Sequence, residues 1–435
     1  MTIRFKPWFH AALPLAMVCA LAAQTRDFAE AKPEAVGFSS QRLERLHALL
    51  QKYIDDKQLP GMVTILARHG KVVDFRTYGK RDLASGAPME KDTIFRIYSM
   101  TKPVTGVAMM ILYEQGKWSP GDPIARYIPE FARLKVFKGI DMDGKPMLED
   151  PAHAPTMAEL MSHTAGFTYG IFGMSPVDKM YRDTHVLASG NLKEMIDRLA
   201  GLPLLYQPGT KWVYSVSVDI QGYIVEKLSG KTLPDFMREN IWQPLGMKDT
   251  AFHITADKAG RFATLYAANP AGVLAASAGG NVAMDYTKEP TMPSGGGGLV
   301  STATDYLRFA QMLLNGGELG GVRILAPSSV ALMRTNRLPQ PMMNSREFGI
   351  GFFHISPGFG FGFDFGVYTN PGFISHTVGT GTYTWGGAAG TWFWIDPAND
   401  IVFVGMVQRV ILPGSPDMDT VAHESVYQAL VNPEK

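Results

Sequence analysis

The β signals lie at the two ends of the chain, and that placement limits the possible folds more than any other feature. Near the start, Val63-Thr64-Ile65-Leu66-Ala67 and Val72-Val73-Asp74-Phe75 flank a turn at His69-Gly70, so residues 62–78 read as a hairpin. A helix over 39–57 precedes it. Ser39 or Ser40 caps this helix, and Leu43, Leu46, Leu49, Leu50, Tyr53 and Ile54 form one apolar stripe before Leu59-Pro60-Gly61 stops it. Near the other end, residues 391–395 and 401–407 read as strands joined by Asp396-Pro397-Ala398-Asn399-Asp400, and 416–431 as a closing helix. The simplest assembly pairs the terminal pieces in one antiparallel sheet and makes the middle an insertion. The expected class is α+β, with a discontinuous α/β domain from residues 23–98 and 293–435 and a mostly helical domain from 99–292.

The middle carries helix-period runs broken by loops, at 156–162, 192–199, 219–228 and 233–242. Asp141-Met142-Asp143-Gly144 has part of a calcium-loop pattern without the remaining ligands, and reads as a turn. Pro293-Ser294-Gly295-Gly296-Gly297-Gly298 reads as a linker or tight loop that re-enters the first domain, followed by a helix over 302–314. Phe359, Phe361, Phe363 and Phe365 alternate with other residues, which would set four rings on one strand face, as core or as the wall of an apolar cleft.

With 435 residues, 46% of them hydrophobic, the chain can bury a large core. Its net charge is +1 without long runs of one sign, so nothing points to nucleic acid or an anionic membrane surface. Residues 1–22 read as a secretory signal: Arg4 and Lys6, an apolar run over 8–21 broken by Pro14, and Ala20-Leu21-Ala22 as the cleavage site. The run is too short and interrupted for a membrane span. The single cysteine, Cys19, lies inside it; a lipid anchor there is the second reading, because bulky Val18 precedes it. The mature chain would be periplasmic or secreted. It would have no disulfide, thiol nucleophile or thiolate metal ligand.

The chemistry centres on Ser99-Met100-Thr101-Lys102, the only Ser-x-x-Lys in the chain. An apolar helical run follows (Val104, Val107, Ala108, Ile111, Leu112), Ser99 has N-cap character, and Pro103 falls in the first turn. Residues three apart share a helix face, so the Lys102 ammonium can reach the Ser99 hydroxyl above the helix N-terminus. A serine needs a neighbour to take its proton, and lysine serves when burial or nearby charge favours its neutral form.

Competing chemistries lack their signatures. There is no Gly-x-Ser-x-Gly elbow, no His-Glu-x-x-His, no Walker loop and no Gly-x-Gly-x-x-Gly after a strand. No metal or cofactor is called for, and His163 in Ser162-His163-Thr164 reads as structural. Two other stretches suit the serine. In Gln207–Val216, a Pro-Gly turn leads to Tyr214, whose phenol could share or relay a proton. In Tyr383–Trp392, the small residues of Gly386-Gly387-Ala388-Ala389-Gly390 would let a substrate lie against the backbone, close to main-chain N–H groups.

Taken in order, Ser99-x-x-Lys102, Tyr214-Ser215 and Trp385-Gly386-Gly387 resemble the serine β-lactamase and penicillin-binding superfamily on its class C side, and within it the family VIII carboxylesterases. Leu160–Gly166 and Gly295–Tyr306 extend the likeness over most of the chain. The resemblance implies a class C-like antiparallel sheet flanked by helices, with the site between it and the helical insertion. Carried over by motif, Ser99 is the nucleophile and Lys102 and Tyr214 form the base system. Trp385, Gly386 and Gly387 form the third motif, and the N–H groups of Ser99 and Ala388 form the oxyanion hole. The sequence departs from the family where Val216 stands for the usual Asn and Trp385 for the usual Lys or His. Both changes remove polar groups that grip β-lactams and peptides, and leave ester hydrolysis intact. The expected function is hydrolysis of small, short-acyl esters through an acyl-enzyme. Two alternatives stand beside it: β-lactam or D-Ala-D-Ala cleavage, and a penicillin-binding-like module that acylates without turnover.

Overall fold

The computed structural model describes residues 28–280, 283–344, 349–350 and 353–433. The expected signal segment, with Cys19, lies outside the described residues. The sequence-expected hairpin forms β1 (Gly61–Arg68) and β2 (Lys71–Gly79), preceded by helix α1 (Ser40–Asp55). Ser39 caps α1 by accepting the Arg42 N–H. Its stripe is narrower than the sequence suggests: Leu43, Leu46 and Leu50 are buried, whereas Leu49 stands out in solvent.

The C-terminal half supplies β3 (Phe359–Phe361), β4 (Gly366–Tyr368), β5 (Tyr383–Gly386), β6 (Trp392–Asp396) and β7 (Ile401–Val407). All seven strands form one sheet, ordered β3-β4-β5-β6-β7-β1-β2. The two ends of the chain meet where β1 pairs antiparallel with β7, from Met62↔Val407 to Arg68↔Ile401. Because side chains alternate across a strand, the sheet separates two cores. Val63, Ile65, Val402, Val404, Phe393 and Trp385 face one side. Met62, Leu66, Trp394 and Phe403 face the other, against α1 and the closing helix, Met418–Ala429.

The first side is covered by α2 (Thr101–Glu114), α3 (Met157–Met161), α4 (Ser217–Ser229) and α5 (Ala303–Leu314). Eleven of the fourteen residues of α2 are buried, including Lys102. A helix buried on nearly every face is a core helix. The partial calcium pattern is a hairpin tip, where the Asp141 carboxylate accepts the backbone N–H groups of Asp143 and Lys145.

One sequence expectation fails. Phe359 and Phe361 lie on β3, but Phe363 and Phe365 do not continue it. The chain reverses at Asp364, which has φ of 63°, and Gly362 donates its N–H to the Phe365 carbonyl. A backbone reversal outweighs a period-two pattern. Phe361, Phe363 and Phe365 are fully buried core residues, and Phe359 borders a cavity.

Candidate active site

Ser99 lies in a single 3-10 turn, Tyr98–Met100, immediately before α2. It does not cap the helix as its sequence position suggests: Met100 holds the N-cap position, and no side-chain cap forms. Tyr98 has φ of 41°, a strained conformation for a residue with a side chain. The surroundings hold it there. Tyr98 is buried edge-to-face on Tyr286, with ring centroids 6.0 Å apart, and Ile97 donates its N–H to the Leu299 carbonyl. Ser99 is thereby lifted into partial exposure at the helix N-terminus, while Met100 and Tyr98 beside it are buried.

Lys102 is fully buried one turn into the helix. Its Nζ donates to the Gly296 carbonyl at 2.6 Å and to Ser99 Oγ at 3.3 Å. It also lies 4.5 Å from the centre of the Tyr214 ring and 5.3 Å from that of Tyr169. Among the described residues no carboxylate comes within ion-pair distance of it. A buried lysine amino group held by one carbonyl, one hydroxyl and two aromatic faces is placed to exchange a proton with that hydroxyl.

The glycine run is therefore more than a link between domains. A Cβ on Gly295 would come within 2.6 Å of the Val218 carbonyl oxygen, and one on Gly296 within 2.7 Å of Asp219 Oδ2. Only glycine lets this loop press onto α4 and deliver its carbonyl to Lys102.

Tyr214 sits on the extended piece before α4, with its ring buried among His163, Tyr169 and Trp212. Its hydroxyl accepts from Trp385 Nε1 at 3.2 Å. The indole thus puts a neutral donor on the phenol where the family's usual Lys or His would put a charge-bearing one. Val216, where the family usually has Asn, is completely buried and offers no polar group.

His163 is structural, as the sequence suggests, and also holds Tyr214 in place, which the sequence did not show. It sits at φ of 57°, and its ring centroid is 5.0 Å from that of Tyr214. Its Nδ1 accepts the Ser215 N–H at 3.2 Å and lies 2.9 Å from Ser215 Oγ. Its carbonyl accepts the Val213 N–H. His163 therefore grips the backbone on both sides of Tyr214. Burial, reinforced by the Lys102 charge, pushes the imidazole well below its ordinary pKa, so it is neutral.

The third motif closes the site. Strand β4 pairs with β5 at Tyr383 and Thr384, whereas β6 pairs with it from Tyr383 through Gly386. A Cβ at Gly387 would lie 2.4 Å from the Ile97 carbonyl oxygen. Thr391 Oγ1 donates to that same oxygen at 3.3 Å. The end of β5 is thus drawn against the turn carrying Ser99, with Ala388 next in sequence. Trp385 faces Tyr214, and Gly386, its strand neighbour, faces the other way. There it borders a cavity of about 390 Å³ that Gly387, Phe359, Tyr368, Trp392 and Met418 also line. Ser99, Lys102 and Tyr214 are not part of that wall. Among the described residues no cluster of His, Cys, Asp and Glu could hold a metal ion, and no helix is long and apolar enough to cross a membrane.

Comparison with known proteins adds three kinds of likeness. The family described as Beta-lactamase matches residues 46–428. An uncharacterised protein of Mycobacterium tuberculosis is 36% identical over 372 residues, covering 84% of this chain and 90% of that protein. Esterase EstB of Burkholderia gladioli is 30% identical over 372 residues, covering 81% of this chain and 87% of that protein. Among solved structures, EstCE1, a hydrolase with promiscuous acyltransferase activity, aligns with a TM-score of 0.74 at 27% identity. That alignment covers 89% of this chain and 98% of EstCE1.

Proposed function

The chain belongs to the beta-lactamase family, and from that premise we propose that it is a serine carboxylesterase acting on small, short-acyl esters. The observation that carries the mechanism is the 3.3 Å contact between Lys102 Nζ and Ser99 Oγ, made by a buried lysine with no carboxylate partner among the described residues. The Lys102 side chain, acting as base, takes the hydroxyl proton as Ser99 Oγ forms its bond to the ester carbonyl carbon. The carbonyl π electrons move to oxygen, and the backbone N–H groups of Ser99 and Ala388 receive that oxyanion. The tetrahedral intermediate collapses, the C–O bond to the alcohol breaks, and the alkoxide takes a proton from Lys102 through the Tyr214 hydroxyl. Water then repeats the sequence on the acyl-enzyme, releasing the acid and restoring Ser99.

What favours esters over β-lactams and peptides is the pair of apolar replacements, Val216 and Trp385. They leave the proton-transfer groups in place and withdraw the groups that would grip an amide or a carboxylate. The relative EstB carries the name esterase, which supports the same direction. The basic and apolar N-terminal run supports export to the periplasm or medium, which N-terminal sequencing of the mature protein tests. The activity is tested with chromogenic acetyl, butyryl and octanoyl esters, one cephalosporin and one D-Ala-D-Ala peptide. Repeated turnover of the short esters, lost in Ser99→Ala, is the expected result. A single stoichiometric burst would instead assign a module that stays acylated.

A further inference from the structure

A buried carboxylate lies behind Lys102 without touching it. Asp219, in the first turn of α4, is 1% exposed. Its Oδ1 accepts the Ser294 hydroxyl at 2.5 Å and the Gly296 N–H at 3.1 Å. The Gly296 carbonyl, on the far side of the same residue, accepts Lys102 Nζ at 2.6 Å. Gly296 is therefore held at both ends, by the carboxylate at its nitrogen and by the ammonium at its oxygen. Asp219 Oδ2 sits beside the spot where Gly296 lacks a Cβ, with the Tyr169 hydroxyl at the same spot. Burial and the neighbouring Asp219 charge push the Tyr169 phenol well above its ordinary pKa, so it stays neutral there.

We infer that Asp219 is a positioning residue for the base: through Gly296 it fixes the acceptor that aims Lys102 at Ser99. The inference rests on the reading of Lys102 as the base. Its physical basis is the cost of an unaimed buried ammonium. Lys102 has a long, flexible stem, and its only carbonyl anchor among the described contacts is Gly296. Gly296 has no side chain of its own to lock that carbonyl, so the clamp has to come from its neighbours. Two bonds to one buried carboxylate supply it. The carboxylate also places negative charge one residue away from the ammonium that forms when Ser99 gives up its proton. Geometry and charge can be separated, because an asparagine retains an oxygen for the Gly296 N–H and loses the charge.

The test compares wild type, Asp219→Asn, Asp219→Ala and Ser99→Ala on one short neutral ester from pH 5 to 9, with rates normalised to folded protein from thermal melts. Asp219→Ala should lower kcat about 10²-fold with KM within about threefold, the usual consequence of misplacing a catalytic group by an ångström. Asp219→Asn should recover at least about a tenth of the wild-type kcat. Its acid limb should move to lower pH by about half a unit or more, because removing a nearby negative charge disfavours the ammonium. A kcat within threefold of wild type in Asp219→Ala, or an unmoved limb in Asp219→Asn, overturns the inference. If Asp219→Ala does not fold, Asp219→Asn decides by its limb alone. Turnover that survives in Ser99→Ala overturns the site assignment itself, whereas a dead Ser99→Ala beside an unimpaired Asp219→Ala overturns only the role of Asp219.

Discussion

The two walls of the site differ in kind. The α2 wall is polar and over-determined. Ser99 is held up by the strained Tyr98, and Lys102 is fixed between the Gly296 carbonyl and Ser99 Oγ. The β5 wall is neutral and apolar. Trp385 is buried against Tyr214 and Phe361, and Gly387 lies against the Ile97 carbonyl beside the turn carrying Ser99. On the proposed mechanism, the first wall handles protons and the second wall chooses the substrate. On that mechanism the two tasks reside on separate elements, so an indole in place of a substrate-gripping charge would leave proton transfer intact.

The strongest challenge to this division is to disable the first wall. Ser99→Ala and Lys102→Ala should each lower kcat by at least about 10⁴-fold, and the double variant should lose little more, since members of one catalytic unit are not additive. Single-turnover acylation by a chromogenic acetyl ester measures it. Losses that multiply in the double variant would show two independent contributions.

Tyr214→Phe stands on the boundary between the walls, for it removes the oxygen that accepts from Trp385 Nε1. We expect kcat to fall about 10²–10⁴-fold, the range of a proton-transfer contribution. The ring packing with His163 and Tyr169 should survive, leaving the melting temperature near that of wild type. A loss below tenfold would reduce Tyr214 to packing.

Trp385→Lys sharpens the contrast by returning charge to the second wall. A hydrogen bond to a charged group is worth about 1.5–3 kcal/mol. The kcat/KM ratio for a carboxylate-bearing ester over its neutral analogue should therefore rise about 10–150-fold. An unchanged ratio would mean that Trp385 does not face the acyl site.

The smallest effect concerns His163, which grips the Tyr214 loop. Its folded-state pKa is depressed, so the unfolded chain binds the proton more readily. Its contribution to stability is fully present above about pH 6.5 and is lost as the pH falls below that value. Thermal melts from pH 8 to 5 should show stability declining on the acid side, and His163→Asn should flatten that slope. An identical slope in the variant would assign the acid sensitivity to other groups.

Ser99 and Lys102 were legible because three residues on one helical turn are neighbours in any context. The terminal hairpin and the last two strands were legible because short runs of β-branched and aromatic residues bounded by turn residues mark buried strands. The third motif was legible only through likeness to a family, since Gly386-Gly387 has no period to read. Where a local pattern met a tertiary demand, as at Asp364, the pattern lost.

Taken alone, then, the sequence determined the α+β class, the strands at both ends and the Ser99–Lys102 pair, each a matter of contacts between residues close in the chain. Tertiary structure decided what surrounds that pair. Gly296 lies 194 residues from the lysine it holds, Trp385 lies 171 from the phenol it meets, and Ser215 lies 52 from the histidine that grips it. Such partners are set by which backbones can approach one another once the core is packed, and no periodicity along the chain encodes that approach.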